Sequence, residues 1–187
     1  MRRRRLTESA EQIARRHLVA ALPRRWSHVE AVARKAARLA DRLFSGADAE
    51  ALEAAAWLHD LGYAPDIRDT GFHPLDGAVW LRKSGFDERV ASLVAYHTRA
   101  DIEAEERGLA DKLGAFSREQ SLVADALLYA DMRTGPDGQD FSVGARLDDI
   151  VARYGEGHGA TRFVRRARPV ILEAARRVEA RLSTLSL

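Results

Sequence analysis

The sequence predicts an all-α chain folded as one domain over residues 1–187. Three observations lead there. Apolar residues recur at the 3.6-residue helical period, with no sustained alternation of the kind a strand needs. Helix start and stop signals punctuate the chain at intervals suited to globular helices. A chain of 187 residues with 46% hydrophobic residues is the size of one domain with a substantial core, and it shows no internal repeat or low-complexity linker.

The elements follow in order. A first helix is expected from about Glu8 to Leu22, ending before Pro23. A second opens at Ser27, where Ser27 and Glu30 have the spacing of a capping box. Its apolar stripe is Val29, Val32, Ala33, Ala36, Leu39, Ala40 and Leu43. Asp48 can cap a third helix that runs to about Leu61 and stops at Gly62. Tyr63 to Phe72 reads as a loop. Pro74 suits the first turn of a fourth helix, which ends near Ser84-Gly85. Asp87 caps the next, to about Thr98. Residues 100–117 are charged and weakly patterned, a loop with short helical pieces. A helix covers about Arg118 to Met132, and 135–138 form a turn. Ser142 caps a helix to Tyr154, and a last helix starts near Thr161 with a kink expected at Pro169.

Composition excludes several chemistries. There is no cysteine, so disulfides, thiolate ligands and a cysteine nucleophile are all out. Any metal must use histidine and carboxylate, which suit Fe, Mn, Zn, Co or Mg. No run of about 18 apolar residues is present to span a membrane. The basic start, Met1 to Arg5, is not followed by a continuous apolar stretch, so a cytoplasmic location is expected. Thirty basic against 28 acidic residues leave a net charge of +2. Arginines gather at both ends (Arg2 to Arg5, Arg15, Arg16, Arg24 and Arg25, then Arg162 to Arg168, Arg176, Arg177 and Arg181). Near balance favours solvated helix faces over a nucleic-acid surface.

The direction of a few polar side chains is more informative. His59 continues the face of Leu52, Ala55 and Ala56. His97 continues that of Val90, Leu93 and Val94, and Asp131 that of Ala124, Leu127 and Leu128. His28 stands one turn before Val32. Four ionisable groups on four helices therefore point inward. A lone inward histidine is more often a hydrogen-bonded core residue. An inward aspartate costs several kcal/mol or becomes neutral unless something compensates it. A divalent cation does so, and it takes neutral imidazoles as its other ligands. Asp60, next to His59 near a helix end, can converge on the same ion.

This ordered pattern resembles the HD superfamily of metal-dependent phosphohydrolases: His28, then His59-Asp60 in Ala-Ala-Trp-Leu-His-Asp-Leu-Gly, then Asp131 in Leu-Tyr-Ala-Asp. The resemblance implies an HD-type helical bundle with its metal-binding core over about 27–134; the C-terminal helices over about 142–187 lie beyond it. It implies that His28, His59, Asp60 and Asp131 bind a divalent ion. His73, in Gly-Phe-His-Pro, and His97, in Ala-Tyr-His-Thr, extend the likeness to members with an H…HD…H…H…D order, such as HDIG-type proteins and bacterial diadenosine tetraphosphate hydrolases. There Asp60 would bridge two ions, with His73 and His97 on the second.

The reaction implied is hydrolysis of a phosphoester or phosphoanhydride, in a nucleotide or another small phosphorylated metabolite, by a metal-activated water that Asp60 orients. Arg99, Arg133 and Arg68 are the expected substrate-binding cations. Two features depart from relatives: no Lys follows the HD pair, and Gly62-Tyr63-Ala64-Pro65 does not reproduce the HD-GYP signature. Two other classes share the ligand set, a di-iron oxygenase and a non-catalytic regulatory or nucleic-acid-binding module. A homodimer is compatible with the sequence. His17 and His158 receive no role, and His158 is expected to stay out of the cleft.

Overall fold

The computed structural model describes residues 2–185, with side chains from Leu6 onward, so the Arg2 to Arg5 side chains of the basic terminus lie outside the described residues. The helices are α1 (Arg2–Leu18), α2 (Pro23–Leu43), α3 (Gly46–Leu58), α4 (His73–Lys83), α5 (Glu88–Tyr96), α6 (Ala100–Arg107), α7 (Ala110–Leu113), α8 (Leu122–Met132), α9 (Val143–Tyr154) and α10 (Gly159–Thr184). Two single 3-10 turns, Leu61–Tyr63 and His97–Arg99, follow α3 and α5. Among the described residues there is no strand, only an isolated bridge between Thr134 and Asp140. No described helix is long and apolar enough to cross a membrane.

Helix α3 is the axis of the bundle. Its buried residues Ala49, Ala51, Leu52, Ala54, Ala55, Ala56 and Leu58 occupy most of its circumference. A helix apolar all round belongs in the interior. Its alanines let α1, α2, α5 and α8 pack closely around it. Helix α8 in turn packs on α10, and α10 on α9.

Several boundaries differ from expectation. Helix α2 begins at Pro23, which occupies its first turn, where a missing N–H costs nothing. Ser27 is therefore inside the helix, and its hydroxyl donates to the Pro23 carbonyl at 3.2 Å instead of forming the capping box with Glu30. Helix α1 stops at Leu18, earlier than Leu22. Residues 100–117 are mostly helical, as the short α6 and α7. Helix α8 starts at Leu122, with the Ser121 hydroxyl accepting from the Ala124 N–H at 3.2 Å. Helix α10 starts at Gly159 and continues through Pro169. Asp87 and Ser142 cap α5 and α9 as expected, accepting from Val90 and Ala145 respectively.

The 64–72 loop is held by a residue that no motif in the sequence singles out. Asp76, buried in α4, accepts the N–H groups of Asp69, Thr70 and Gly71 at 3.0–3.1 Å and the Thr70 hydroxyl at 2.6 Å. With Ile67 and Phe72 buried beneath it, the loop has a defined path along the rim of the site. Gly62 brings that rim onto α4: a Cβ there would lie 2.1 Å from the His73 carbonyl oxygen and 2.6 Å from the Gly77 nitrogen. Only glycine allows the turn after α3 to touch the start of α4, and this contact sets His73 beside Asp60.

Candidate metal centre

Six side chains from different elements converge in the interior. His28 comes from the second turn of α2, His59 and Asp60 from the end of α3, His73 from the start of α4, His97 from the end of α5 and Asp131 from the last turn of α8. His59 is fully buried, and His28, Asp60 and His97 nearly so. Backbone geometry explains how His59 and Asp60 both point inward. His59 still has helical angles, but Asp60 (φ −100°, ψ 10°) leaves the helix. Neighbouring side chains in an intact helix diverge by about 100°, and the break removes that divergence.

The imidazole orientations are set by carbonyls. Nδ1–H of His28 donates to Gly135 O at 3.0 Å, that of His59 to Ala56 O at 2.8 Å, and that of His97 to Val94 O at 2.6 Å. These bonds leave each Nε2 lone pair facing the cluster, the arrangement seen in metal-ligating histidines. His28 and His59 bring their Nε2 atoms to 3.4 Å, and His73 and His97 to 3.1 Å. Two facing lone pairs repel, so a positive charge belongs between His28 and His59.

The carboxylates divide the cluster. Asp60 Oδ2 lies 3.4 Å from His59 Nε2 and 3.6 Å from His28 Nε2, whereas its Oδ1 lies 3.3 Å from His73 Nε2. Asp131 Oδ1 is 3.1 Å from His28 Nε2 and 3.9 Å from His59 Nε2. Atoms of His28, His59 and Asp60 lie within 4.8 Å of one another, and so do those of Asp60, His73 and His97. An ion with bonds of about 2.1 Å separates its ligands by roughly 3.0–3.4 Å. The donor set and spacing of both groups are consistent with divalent metal binding.

Electrostatics agree. Burial opposes ionisation of Asp60, but Arg25 and His59 outweigh it and hold its carboxyl well below the usual range. Burial likewise acts against the charged form of Asp131, and His28 and His59 reverse the effect and lower it. His59 is buried, which lowers its pKa, yet Asp60 and Asp131 carry it up to about 9. In the metal-free protein a proton on His59 thus supplies the positive charge. Burial keeps His73 and His97 below the ordinary histidine value.

The centre opens into a cavity of about 610 Å³. The guanidinium of Arg25 reaches in, donating from Nη1 to Asp60 Oδ2 at 2.8 Å. It lies 4.1 Å from the centre of the Tyr63 ring, which stacks on His73 at 4.0 Å. The far wall comes from α9 and α10: Arg146, Arg153, Tyr154, His158 and Arg162 all line it. Against expectation, His158 is in the cleft, stacked on Tyr154 at 4.6 Å and accepting the Ala160 N–H as the cap of α10.

The three arginines expected to face substrate are placed elsewhere. Arg99 has positive φ and turns to Asp101, at 2.8–3.0 Å, in a separate cavity of about 470 Å³. Arg133 caps α8 and bonds Asp140 and the Phe141 carbonyl. Arg68 is exposed, because the loop buries Ile67 instead. Closeness in sequence to a ligand did not settle direction. Arg25 was legible only as part of a basic run; its position three residues before His28, on the same first turns of α2, is the signal that could have singled it out. His17 is half-buried, with Nδ1 2.7 Å from Asp66 Oδ2 and its ring against Trp80.

A family model described as the HD domain matches residues 25–133. The chain belongs to the HD-domain family. The match begins at Arg25 and ends just after Asp131, so it contains the whole His/Asp cluster, while the α9–α10 wall lies outside it. Among curated proteins, this HD-domain chain is similar to the tRNA (cytidine(56)-2'-O)-methyltransferase of Thermoplasma volcanium, 39% identical over 88 residues, which are 47% of this chain and 24% of that protein. The protein of the same name from Picrophilus torridus is 38% identical over 87 residues, 46% of this chain and 24% of that one. The aligned segment amounts to about a quarter of the length of these curated relatives. No solved structure gives a significant match.

Proposed function

We propose that this HD-domain protein is a metal-dependent phosphohydrolase acting on a nucleotide or another small phosphoester. His28, His59, Asp60 and Asp131 would hold one divalent ion, and His73, His97 and Asp60 a second. The observation that carries the reading is the division of Asp60, one oxygen toward His28 and His59 and the other toward His73, as a bridging carboxylate requires.

Ions bound there would supply Lewis-acid polarisation and a water acidic enough to act as nucleophile at neutral pH. The residues of the chain do the rest. The Nδ1–H bonds of His28, His59 and His97 keep three ligands in one tautomer. Asp60 would orient the attacking water by accepting a hydrogen bond from it. The Arg25 guanidinium, which donates from Nη1 to Asp60 Oδ2, would offer its remaining N–H groups to phosphoryl oxygens, a charge-assisted contact. Tyr63 holds both Arg25 and His73 in place. The α9–α10 wall, with Arg153, Arg162, Tyr154 and His158, meets the remainder of the substrate. The methyl transfer in the names of the matched relatives is a property of those whole proteins; their tRNA connection makes nucleotides and short oligonucleotides natural members of a substrate panel.

The test is metal analysis of the purified protein together with a phosphoester panel under Mn²⁺. Two ions per chain and phosphate release without oxygen consumption are expected. Absence of bound metal after supplementation, or oxygen consumption in place of phosphate release, would overturn the proposal.

A further inference from the structure

The chain leaves helix α5 in an unusual way. Tyr96 ends the helix, His97 is extended in ψ (145°), and Thr98 then takes φ 51°, ψ 32°, followed by Arg99 at φ 63°. Among the described residues these are the only non-glycine positions with positive φ. The left-handed region suits glycine or asparagine and is an outlier for a β-branched residue. Neither a glycine nor an asparagine stands here, so something specific to the threonine side chain accompanies the strain. Its hydroxyl donates to Asp131 Oδ2 at 2.5 Å.

That bond divides the Asp131 carboxylate. Oδ2 is occupied by Thr98, and Oδ1 alone faces His28 and His59. The reversal after His97 is what makes this possible. His97 turns its ring to His73, and the very next side chain turns to Asp131 on α8. A continued helix would have sent Thr98 about 100° away. The threonine Cβ is branched, which restricts χ1 and fixes the hydroxyl.

We propose that Thr98 is a positioning residue for Asp131, its left-handed backbone retained because it delivers the hydroxyl that presents Oδ1 alone to the metal. This rests on the metal-centre reading above. Support around a ligating carboxylate is worth about 10–100-fold in metal affinity.

The test is calorimetric titration of the chelator-stripped full chain with Mn²⁺, for wild type and for Thr98→Ser, Thr98→Val, Thr98→Ala and Thr98→Gly, with thermal midpoints of the metal-free proteins measured alongside. Wild type and Thr98→Ser are expected to agree within about threefold, and the three variants without a hydroxyl to bind about 10–100-fold more weakly. Thr98→Gly is expected to melt higher than Thr98→Ala, since glycine accepts positive φ without strain, and yet to bind Mn²⁺ no better. Wild-type affinity in Thr98→Val, or affinity restored by glycine, would overturn the role of the hydroxyl. If wild type itself binds no Mn²⁺, the metal-centre reading fails and this inference falls with it; wild-type binding with an unaffected Thr98→Val sinks only the latter.

Discussion

Replacing Asp60 by asparagine keeps the shape of the side chain and removes its charge, and the structure predicts three separable consequences. In the metal-free protein Asp60 faces His59 at 3.4 Å and Arg25 at 2.8 Å. At an effective dielectric near 20 these contacts are worth roughly 5 and 6 kcal/mol before burial costs. The Arg25 side chain is 34% exposed, so much of its share is returned by solvent. Breaking such a buried arrangement costs about 3 kcal/mol net. For a chain of this length that is a fall in melting temperature of about 6–12 °C, measurable by differential scanning fluorimetry under chelation. Asparagine has one carbonyl oxygen, so it can serve only one of the two histidine pairs, and its NH₂ faces the other. On the proposed two-ion reading, mass-spectrometric metal analysis should show the content dropping from two ions to one. Turnover should fall by about 10²–10³-fold, the scale seen when a principal electrostatic group is lost. An Asp60→Asn protein that keeps two ions per chain and hydrolyses its phosphoester within about threefold of wild type would refute the bridging role.

Arg25→Ala should separate two observables: kcat/KM falls by about tenfold or more as the proposed phosphate contact is lost, while metal affinity is maintained or rises because the guanidinium no longer competes for Asp60 Oδ2. The pH profile of the metal-free protein follows from the histidines. His59, raised from 6.5 to about 9, contributes stability that is complete below pH 6.5 and is lost as pH rises through 9. His73 and His97, lowered by burial, contribute stability that is lost as pH falls below 6.5. Melting temperature under chelation should therefore peak near neutrality and decline toward pH 9, and metal binding at pH 7–8 should release a proton from His59, visible as a buffer-dependent binding enthalpy. Gly62→Ala places a methyl group against the His73 carbonyl and should cost about 3 kcal/mol. Because His73 moves with α4, titration should show the second ion lost before the first.

The sequence by itself determined the helical class, most helix ends and the inward direction of His59, His97 and Asp131, because these are local properties: a 3.6-residue period, a capping side chain, a proline or a glycine. Asp87 and Ser142 were readable caps since their bonds span only a few residues. Ser27 misled for a related reason. Its capping-box spacing is real, but Pro23 can start the helix one turn earlier, and packing of α2 on α3 rewards the longer helix. Tertiary structure alone decided which cation meets the centre. Arg99 and Arg133 adjoin ligands in sequence, yet a backbone reversal and a helix end aim them at Asp101 and Asp140. Arg25 lies three residues before His28, and the first turn of α2 delivers it to Asp60. The same holds for Asp76, whose role exists only once the loop folds back on α4, and for His158, carried into the cleft by a helix that begins about 100 residues after the HD pair. Consecutive side chains in a helix diverge, so His59-Asp60 and His97-Thr98 can each converge only where the helix breaks. The helix ends near Gly62 and Thr98 were both readable in sequence, but the left-handed backbone of Thr98 was not: there a residue ill-suited to its conformation is held by the hydrogen bond it makes with Asp131.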